Sequence, residues 1–359
     1  MTFARVLLTT DVIGGVWDFC VTLARELVAR GTHVVLLVLG EPTAEQLRQA
    51  AEAGAELLVE PLRLEWMQDS QADVQATQRL VARLVADLRP DVVHANQFAV
   101  ACAGVDTPVV LTLHSDVLSW RKWTLGLEDL PAEWQAYASL VRRALMQADA
   151  VVAVSAFLAR EVRALYGTDR HIEVAPNGWP AAAAAIGPRA RQTLLAGRLW
   201  DAAKNIPLAL QAAPAGARVL LAGEQRHPET GGMPQLPGGV EALGFVSREQ
   251  LDRLLRTSRI YLSPARYDPF GLLPLQAALA GCALLLSDIP SYREVWGDAA
   301  MFFQPDDLRD RWTTLLDDDQ ACETLGQRAH QRAEENYSAA RLAERYLAVY
   351  ARVAAGVAA

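Results

Sequence analysis

Asp268 and Gln276 stand eight residues apart in the stretch YDPFGLLPLQ, between the apolar runs RIYLSPA and CALLLSD. A carboxylate and an amide hold hydroxyls well, and an amide cannot transfer protons, so the pair suits gripping a polyol rather than acid–base work. Arg198 and Lys204 lie in LLAGRLWDAAKN. A guanidinium forks onto phosphate oxygens and an ammonium adds a point charge, a combination suited to a diphosphate. Two cations at a helix start oppose its dipole and so call for an anionic partner. Gly14 and Gly15, in TTDVIGGVWDF, either let the backbone approach a ligand closely or form a plain tight turn. That stretch is not G-x-G-x-x-G and no acidic residue ends the second apolar run, so a nicotinamide cofactor is poorly supported. His114 follows the apolar run of LTLHSD, where Ser115 and Asp116 could orient it for a structural or a catalytic role. Together these groups describe a site for phosphates flanked by sugars.

Such residues need strand ends and helix starts to position them. Short apolar runs (RVLLTT, HVVLLVL, DVVHA, PVVLTLH, AVVAVS) alternate with helical stretches such as Val16 to Arg30 and Thr43 to Ala53. This alternation predicts parallel strands joined by helical crossovers, a doubly wound α/β sheet. The rhythm breaks at IEVAPNGWPAAAAAIGPRA and resumes with TLLAGRL, ARVLLAG, GVEALGFV, RIYLSPA and CALLLSD, which predicts a second Rossmann-type domain. LLPLQAALAG reads as a helix ending at Gly281, with Pro274 tolerated in its first turn and Gln276 one turn in. The expected organisation is an N-terminal domain over 1–178, a linker over 179–192, a second domain over 193–335 and a C-terminal helix over 336–359 that returns to the first domain. The Gly/Pro-rich stretch Glu224 to Gly239 reads as a surface loop.

A formal charge of −8 and a pI near 5.4 argue against nucleic-acid binding and against general attraction to anionic lipid. The local patch WRKW (Trp120 to Trp123) reads either as a ligand contact or as a half-buried loop with solvated charges. No apolar run reaches membrane-spanning length, and the N-terminus lacks the pattern of a secretory signal. Stable membrane insertion is therefore not expected, while peripheral association and oligomeric state stay open. The cysteines, Cys20, Cys102, Cys282 and Cys322, have no metal or disulfide spacing and suggest a reducing cytoplasm.

These motifs, in this order, resemble the retaining glycosyltransferases of the GT-B fold, family 4. The resemblance spans nearly the whole chain: the GG loop followed by LARELVARGTHVVLL, then APNG, AGRLWDAAKN, LGFV, YDPFGLLPLQAALAGCALLLSD and the closing helix. It implies transfer of a sugar from a nucleotide-diphosphate sugar (UDP favoured, GDP or ADP as alternatives) to the hydroxyl of an acceptor such as a glycan or small metabolite. No cofactor and no metal is implied. The implied catalytic residues are His114, Arg198, Lys204 and Asp268. Implied donor-binding residues are Gly14, Gly15, Asn177, Gly197, Gly223, Phe245, Val246, Pro269, Phe270, Gly271, Leu272, Leu273 and Gln276. In this scheme the backbone at Phe245 and Val246 holds the base and Gln276 the ribose. Trp17, Trp120 and Trp123 are candidate acceptor platforms, or simply packing. The family usually carries Glu at both ends of its E-x7-E motif, where this chain has Asp268 and Gln276. Lys204 also lies one residue farther from the Gly-Arg pair than is most common. A binding-only relative of the fold and a sugar-nucleotide epimerase are the competing readings.

Overall fold

The computed structural model describes residues 3–181, 189–224 and 239–356. It holds two all-parallel sheets, and the chain divides into two compact units. The first unit comprises Met1–Ser119, Leu127–Pro180 and Ala339–Ala359; the second comprises Trp120–Gly126 and Ala181–Ser338.

The first sheet contains β1 (Arg5–Asp11), β2 (His33–Leu39), β3 (Glu56–Glu60), β4 (Val92–Ala95), β5 (Val109–Leu113), β6 (Ala150–Ala153) and β7 (Glu173–Val174). Their spatial order is β3-β2-β1-β4-β5-β6-β7. Val6 of β1 pairs with both Val34 and Val92, so the central strands are flanked by other strands. They are buried almost throughout, because helices cover both faces of a parallel sheet; this is why they read as unbroken Val/Leu runs. On the Gly15–Ala29 helix, Cys20, Leu23, Ala24 and Leu27 recur at helical spacing and are all buried.

The second sheet contains β8 (Ala190–Ala196), β9 (Arg218–Ala222), β10 (Val240–Gly244), β11 (Ser258–Ser263), β12 (Ala283–Ser287) and β13 (Met301–Phe303). Its order is β10-β9-β8-β11-β12-β13, which reverses direction between β8 and β11. Loops at such a reversal diverge and leave room for a ligand beyond the strand C-termini.

Strands β3, β7 and β13 have no counterpart in the sequence-based expectation. Each is an edge strand, and β7 and β13 are two and three residues long, too short for a period to show. Of the expected linker, 182–188 lie outside the described residues and Ala190–Gln192 already belong to β8. Most of the expected surface loop, 225–238, is likewise outside them. Trp120–Gly126, expected within the N-terminal domain, groups with the second unit, where Arg266 Nη1 donates to the Thr124 carbonyl at 3.4 Å.

The C-terminal helix Ala339–Ala354 belongs to the first unit. Leu342, Tyr346, Val349, Tyr350 and Val353 form one apolar stripe sunk into the core around β1, β2 and β4. His94 of β4 ties it down: its ring nitrogens meet Tyr350 Oη at 2.6 Å and Thr112 Oγ1 at 2.7 Å. Thr112 Oγ1 in turn meets Tyr346 Oη at 3.0 Å.

Candidate active site

In the second unit the ends of β8, β9 and β10 are stitched together by backbone. Gly197 N–H donates to the Ala222 carbonyl at 3.0 Å and Gly223 N–H to the Gly244 carbonyl at 2.7 Å. A Cβ on Gly223 would sit 1.8 Å from the Gly197 carbonyl oxygen. Glycine at 223 is thus demanded by strand packing, and no approach of a ligand is needed to explain it.

Arg198 leaves the end of β8 and donates to Asp201 Oδ2 at 2.9 Å. The other oxygen of Asp201 caps the short turn Ala202–Lys204 by accepting from Ala203 N–H at 2.9 Å. That turn aims Lys204, whose ammonium donates to Asp268 Oδ2 at 3.0 Å. The motifs carrying Lys204 and Asp268, 64 residues apart, therefore meet in one ion pair, with both side chains largely buried.

Asp268 is not a helix cap. The helix Leu272–Leu279 is instead entered through Gly271 at φ 90°, and its first N–H groups have no partner within the helix. Gln276, one turn in, is buried, at 6% exposed. Pro269 is half-buried and Phe270 is buried edge-on against Tyr337. Leu272 and Leu273 are half-buried in the first helical turn. Phe245, just past β10, is 81% exposed, and Val246 beside it is half-buried.

In the first unit, Gly14 caps the Gly15–Ala29 helix. His114, at the end of β5, is oriented neither by Ser115 nor by Asp116. Its Nε2 lies 2.7 Å from Asn96 Oδ1, and Asn96 Nδ2 donates to the Thr9 carbonyl at 2.7 Å. The Asn96 amide nitrogen is thereby committed, so His114 Nε2 carries the proton and Nδ1 is left as an acceptor. Burial of the ring, edge-on to Phe19, lowers its pKa to about 3, which makes it a neutral hydrogen-bonding group and not an acid or base at neutral pH. Asp116 instead accepts from Ser119 N–H at 2.9 Å, from Ser119 Oγ and from Tyr166 Oη at 2.9 Å, while burial pushes its own pKa up.

The same strand ends carry polar groups that sequence reasoning did not single out. Thr9 donates to Gln97 at 2.7 Å, Gln97 to Asp11 at 3.3 Å, and Glu65 accepts from Phe98 N–H at 2.7 Å. Burial, with Asp11 nearby, raises the Glu65 pKa to about 7. The available signal was position alone: Asn96 and Gln97 directly follow the apolar run VVHA. Asn177 is buried and its Oδ1 has no partner.

One acceptor candidate is corrected. Trp17 is 3% exposed, lies in the core of the first unit and donates from Nε1 to Gln49 at 2.7 Å, so it offers no ring face to an acceptor. Trp120 and Trp123 are half-buried, Trp120 ending the Val117–Trp120 helix and Trp123 within the wide turn Arg121–Leu125. Among the described residues no group of His, Cys, Asp or Glu is arranged to hold a metal ion, and no helix is long and apolar enough to cross a membrane. A cavity of about 360 Å³ at the ends of β11 to β13, lined by Asn205, Arg266, Asp288 and Gln304 among others, includes none of the four residues Arg198, Lys204, Asp268 and Gln276.

Two parallel Rossmann-type sheets, one ending in a cation–carboxylate pair, place the chain among the two-unit doubly wound α/β proteins. Residues 13–182 match Glycosyltransferase Family 4 and residues 186–332 match Glycosyl transferases group 1, so the chain belongs to the family 4, group 1 glycosyltransferases. It is similar to a glycogen synthase of Mycobacterium tuberculosis, 27% identical over 277 residues, covering 69% of this chain and 66% of that protein's length. It is also similar to an alpha-maltose-1-phosphate synthase of Mycolicibacterium smegmatis, 25% identical over 90% of this chain and 95% of that one. Among solved structures, Alr3699/HepE of Anabaena, determined with UDP and glucose, shares the fold at a TM-score of 0.73 and 15% identity, over 97% of this chain and 99% of that one. The fold is GT-B, and the chain spans just under two thirds of the length of the glycogen synthases it matches.

Proposed function

We propose that the protein transfers a sugar, with retention of anomeric configuration, from a nucleotide-diphosphate sugar to an acceptor hydroxyl. UDP is the favoured carrier, since a protein of the same fold was solved with UDP and glucose; GDP and ADP are the alternatives. The acceptor class is a glycan or another hydroxylated metabolite. The observation that carries the reading is the Lys204–Asp268 pair at 3.0 Å, with Gln276 buried one turn into the helix that follows.

In this scheme Arg198 and Lys204 neutralise the diphosphate as the bond from the sugar anomeric carbon to the phosphate oxygen breaks, the role a metal ion would otherwise take. The N–H groups of the Leu272–Leu279 helix support the same charge. Asp268 accepts from sugar hydroxyls, and Gln276 donates to and accepts from the ribose. The acceptor oxygen attacks on the face the phosphate leaves and passes its proton to the departing phosphate oxygen. The products are the nucleoside diphosphate and the new glycoside.

Calorimetric titration with UDP, GDP and ADP tests the reading, wild type beside Arg198→Ala. Micromolar binding of one nucleotide that weakens about tenfold or more in the variant is expected for loss of a charge-assisted phosphate contact. Absence of binding by all three would overturn it.

A further inference from the structure

We propose that Tyr292, in the helix Pro290–Trp296, is a positioning residue that sets the aim of the sugar-gripping carboxylate of Asp268 and the shape of the turn behind it. The inference rests on the transferase reading of that site and adds to it a residue with no role of its own there.

The phenol of Tyr292 is fully buried and lies between two oxygens, Asp268 Oδ2 at 3.2 Å and Ser263 Oγ at 2.8 Å. A phenol has one proton, and an ionised carboxylate can only accept. The Tyr292 proton therefore goes to Asp268, and Ser263 must donate to the phenol oxygen. This chain fixes direction as well as distance, because reversing either bond would leave a buried oxygen facing another oxygen with no hydrogen between them. With Lys204 on the same atom at 3.0 Å, Asp268 Oδ2 has two donors. Oδ1 has no partner among the described residues and is the oxygen left to accept from a ligand.

The Tyr292 ring acts on the backbone at the same time. A Cβ on Gly271 would fall 2.9 Å from Tyr292 Cε1, so the ring lies directly against the left-handed turn that opens the Leu272–Leu279 helix. Ser291, one residue earlier, donates to the Asp268 carbonyl at 2.6 Å. One short helix thus grips residue 268 by its side chain and its backbone and props residue 271. An aspartate has one methylene less reach than a glutamate, so its oxygens can be placed only by moving the backbone or by bracing it. The Tyr292 and Ser291 contacts supply that bracing.

The test compares each nucleotide sugar with its bare nucleotide by calorimetry on the full-length chain: UDP-glucose with UDP, GDP-mannose with GDP, ADP-glucose with ADP. The proteins are wild type, Tyr292→Phe, Asp268→Asn and the double variant, with Ser263→Ala as a second way to loosen the phenol. Phenylalanine keeps the ring against Gly271 and removes only the hydroxyl. Expected is a loss of roughly tenfold in nucleotide-sugar affinity for Tyr292→Phe, a charged-acceptor hydrogen bond, with bare-nucleotide affinity unchanged within about twofold. Ser263→Ala should give a smaller loss of the same kind. The double variant should bind no more weakly than Asp268→Asn alone, since Tyr292 acts through Asp268. If Asp268→Asn loses the sugar's contribution while Tyr292→Phe keeps it, the positioning role is overturned and the transferase site stands. Should Tyr292→Phe weaken sugar and bare nucleotide equally, in step with a lowered melting temperature, the role is structural only and the proposal falls. If Asp268→Asn leaves the sugar's contribution intact, or no nucleotide binds at all, the site reading fails and this role fails with it.

Discussion

The C-terminal edges of the two sheets use opposite electrostatics. Beyond β8 and β11 the groups are charged and matched one to one, Arg198 with Asp201 and Lys204 with Asp268, with Arg198 well exposed. Beyond β1, β4 and β5, Thr9, Asn96 and His114 are neutral, burial keeping the histidine uncharged, and the network reaches the Asp11 carboxylate only through the Gln97 amide. Arg198 reaches solvent, and an ion pair of that kind contributes little on its own and rearranges at small cost, so an arriving diphosphate can take over its guanidinium. A buried neutral network has no such slack: every member is placed by its partners, and it suits holding uncharged hydroxyls. The difference argues that one edge is built to accept charge and the other to discriminate shape.

The sharpest way to break that contrast is Lys204→Ala. It removes the phosphate-facing charge and strands the largely buried Asp268 carboxylate with only Tyr292 for support. Loss of one partner of a desolvated charge pair is expected to weaken nucleotide-sugar binding about a hundredfold, measured by calorimetry. A change of less than about threefold would mean that the second edge does not work through charge, because a hydrogen bond to a charged group contributes about 1.5–3 kcal/mol.

The charged edge was largely legible in the sequence and the neutral edge was not, for physical reasons. Arg198, Lys204, Asp268 and Gln276 are conspicuous because polar groups beside apolar runs have few structural excuses. Even so, their pairing is invisible in sequence: Asp201 beside Arg198, and Tyr292 beyond the next strand, became partners only through the turn at Ala202–Lys204 and the crossover to β12. Asn96 looks like any loop asparagine until β4 and β5 lie side by side and set it against His114. The expectation that Asp116 orients His114 failed because Asp116 is taken up by Ser119 and Tyr166. Trp17 illustrates the opposite error, a residue prominent by type whose helix face turns it into the core.

A medium effect should come from charging the neutral edge. Asn96→Asp would put a carboxylate against His114 Nε2 and raise the pKa of the ring from its buried value near 3. Wild-type turnover should show no His114-dependent change between pH 5 and 8, because the ring is neutral throughout. The variant should acquire a new pH dependence in that window and turn over about tenfold more slowly at its acid end, a loss on the scale of one or two hydrogen bonds. Rate profiles of the two proteins that differ only by a constant factor would show that neutrality of this histidine is irrelevant to the reaction.

The smallest expected effect concerns stability and isolates the neutral network from catalysis. His94 is fully buried and its pKa falls from 6.5 to about 3, chiefly through burial. A depressed histidine is protonated more readily in the unfolded chain, so its contribution to stability is complete above about pH 6.5 and is lost progressively as pH falls toward 3. The slope is about 1.4 kcal/mol per pH unit at most. Glu65, raised to about 7, works in the other direction: its neutral form favours the folded state below pH 4.5, and that contribution fades as pH rises through about 7. The two overlap, so the wild-type curve alone does not separate them. The difference between wild type and His94→Gln does, since Glu65 is common to both and glutamine can still meet Tyr350 and Thr112. Amide protection in β4 and β5, corrected for the intrinsic pH dependence of exchange, should fall on acidification in wild type and less in the variant, with β8 and β11 of the second unit as the internal reference. Equal acid sensitivity of β4 in the two proteins would mean that the histidine is not what holds the C-terminal helix to the sheet in a pH-dependent way, and that the contrast between the edges is one of charge placement alone.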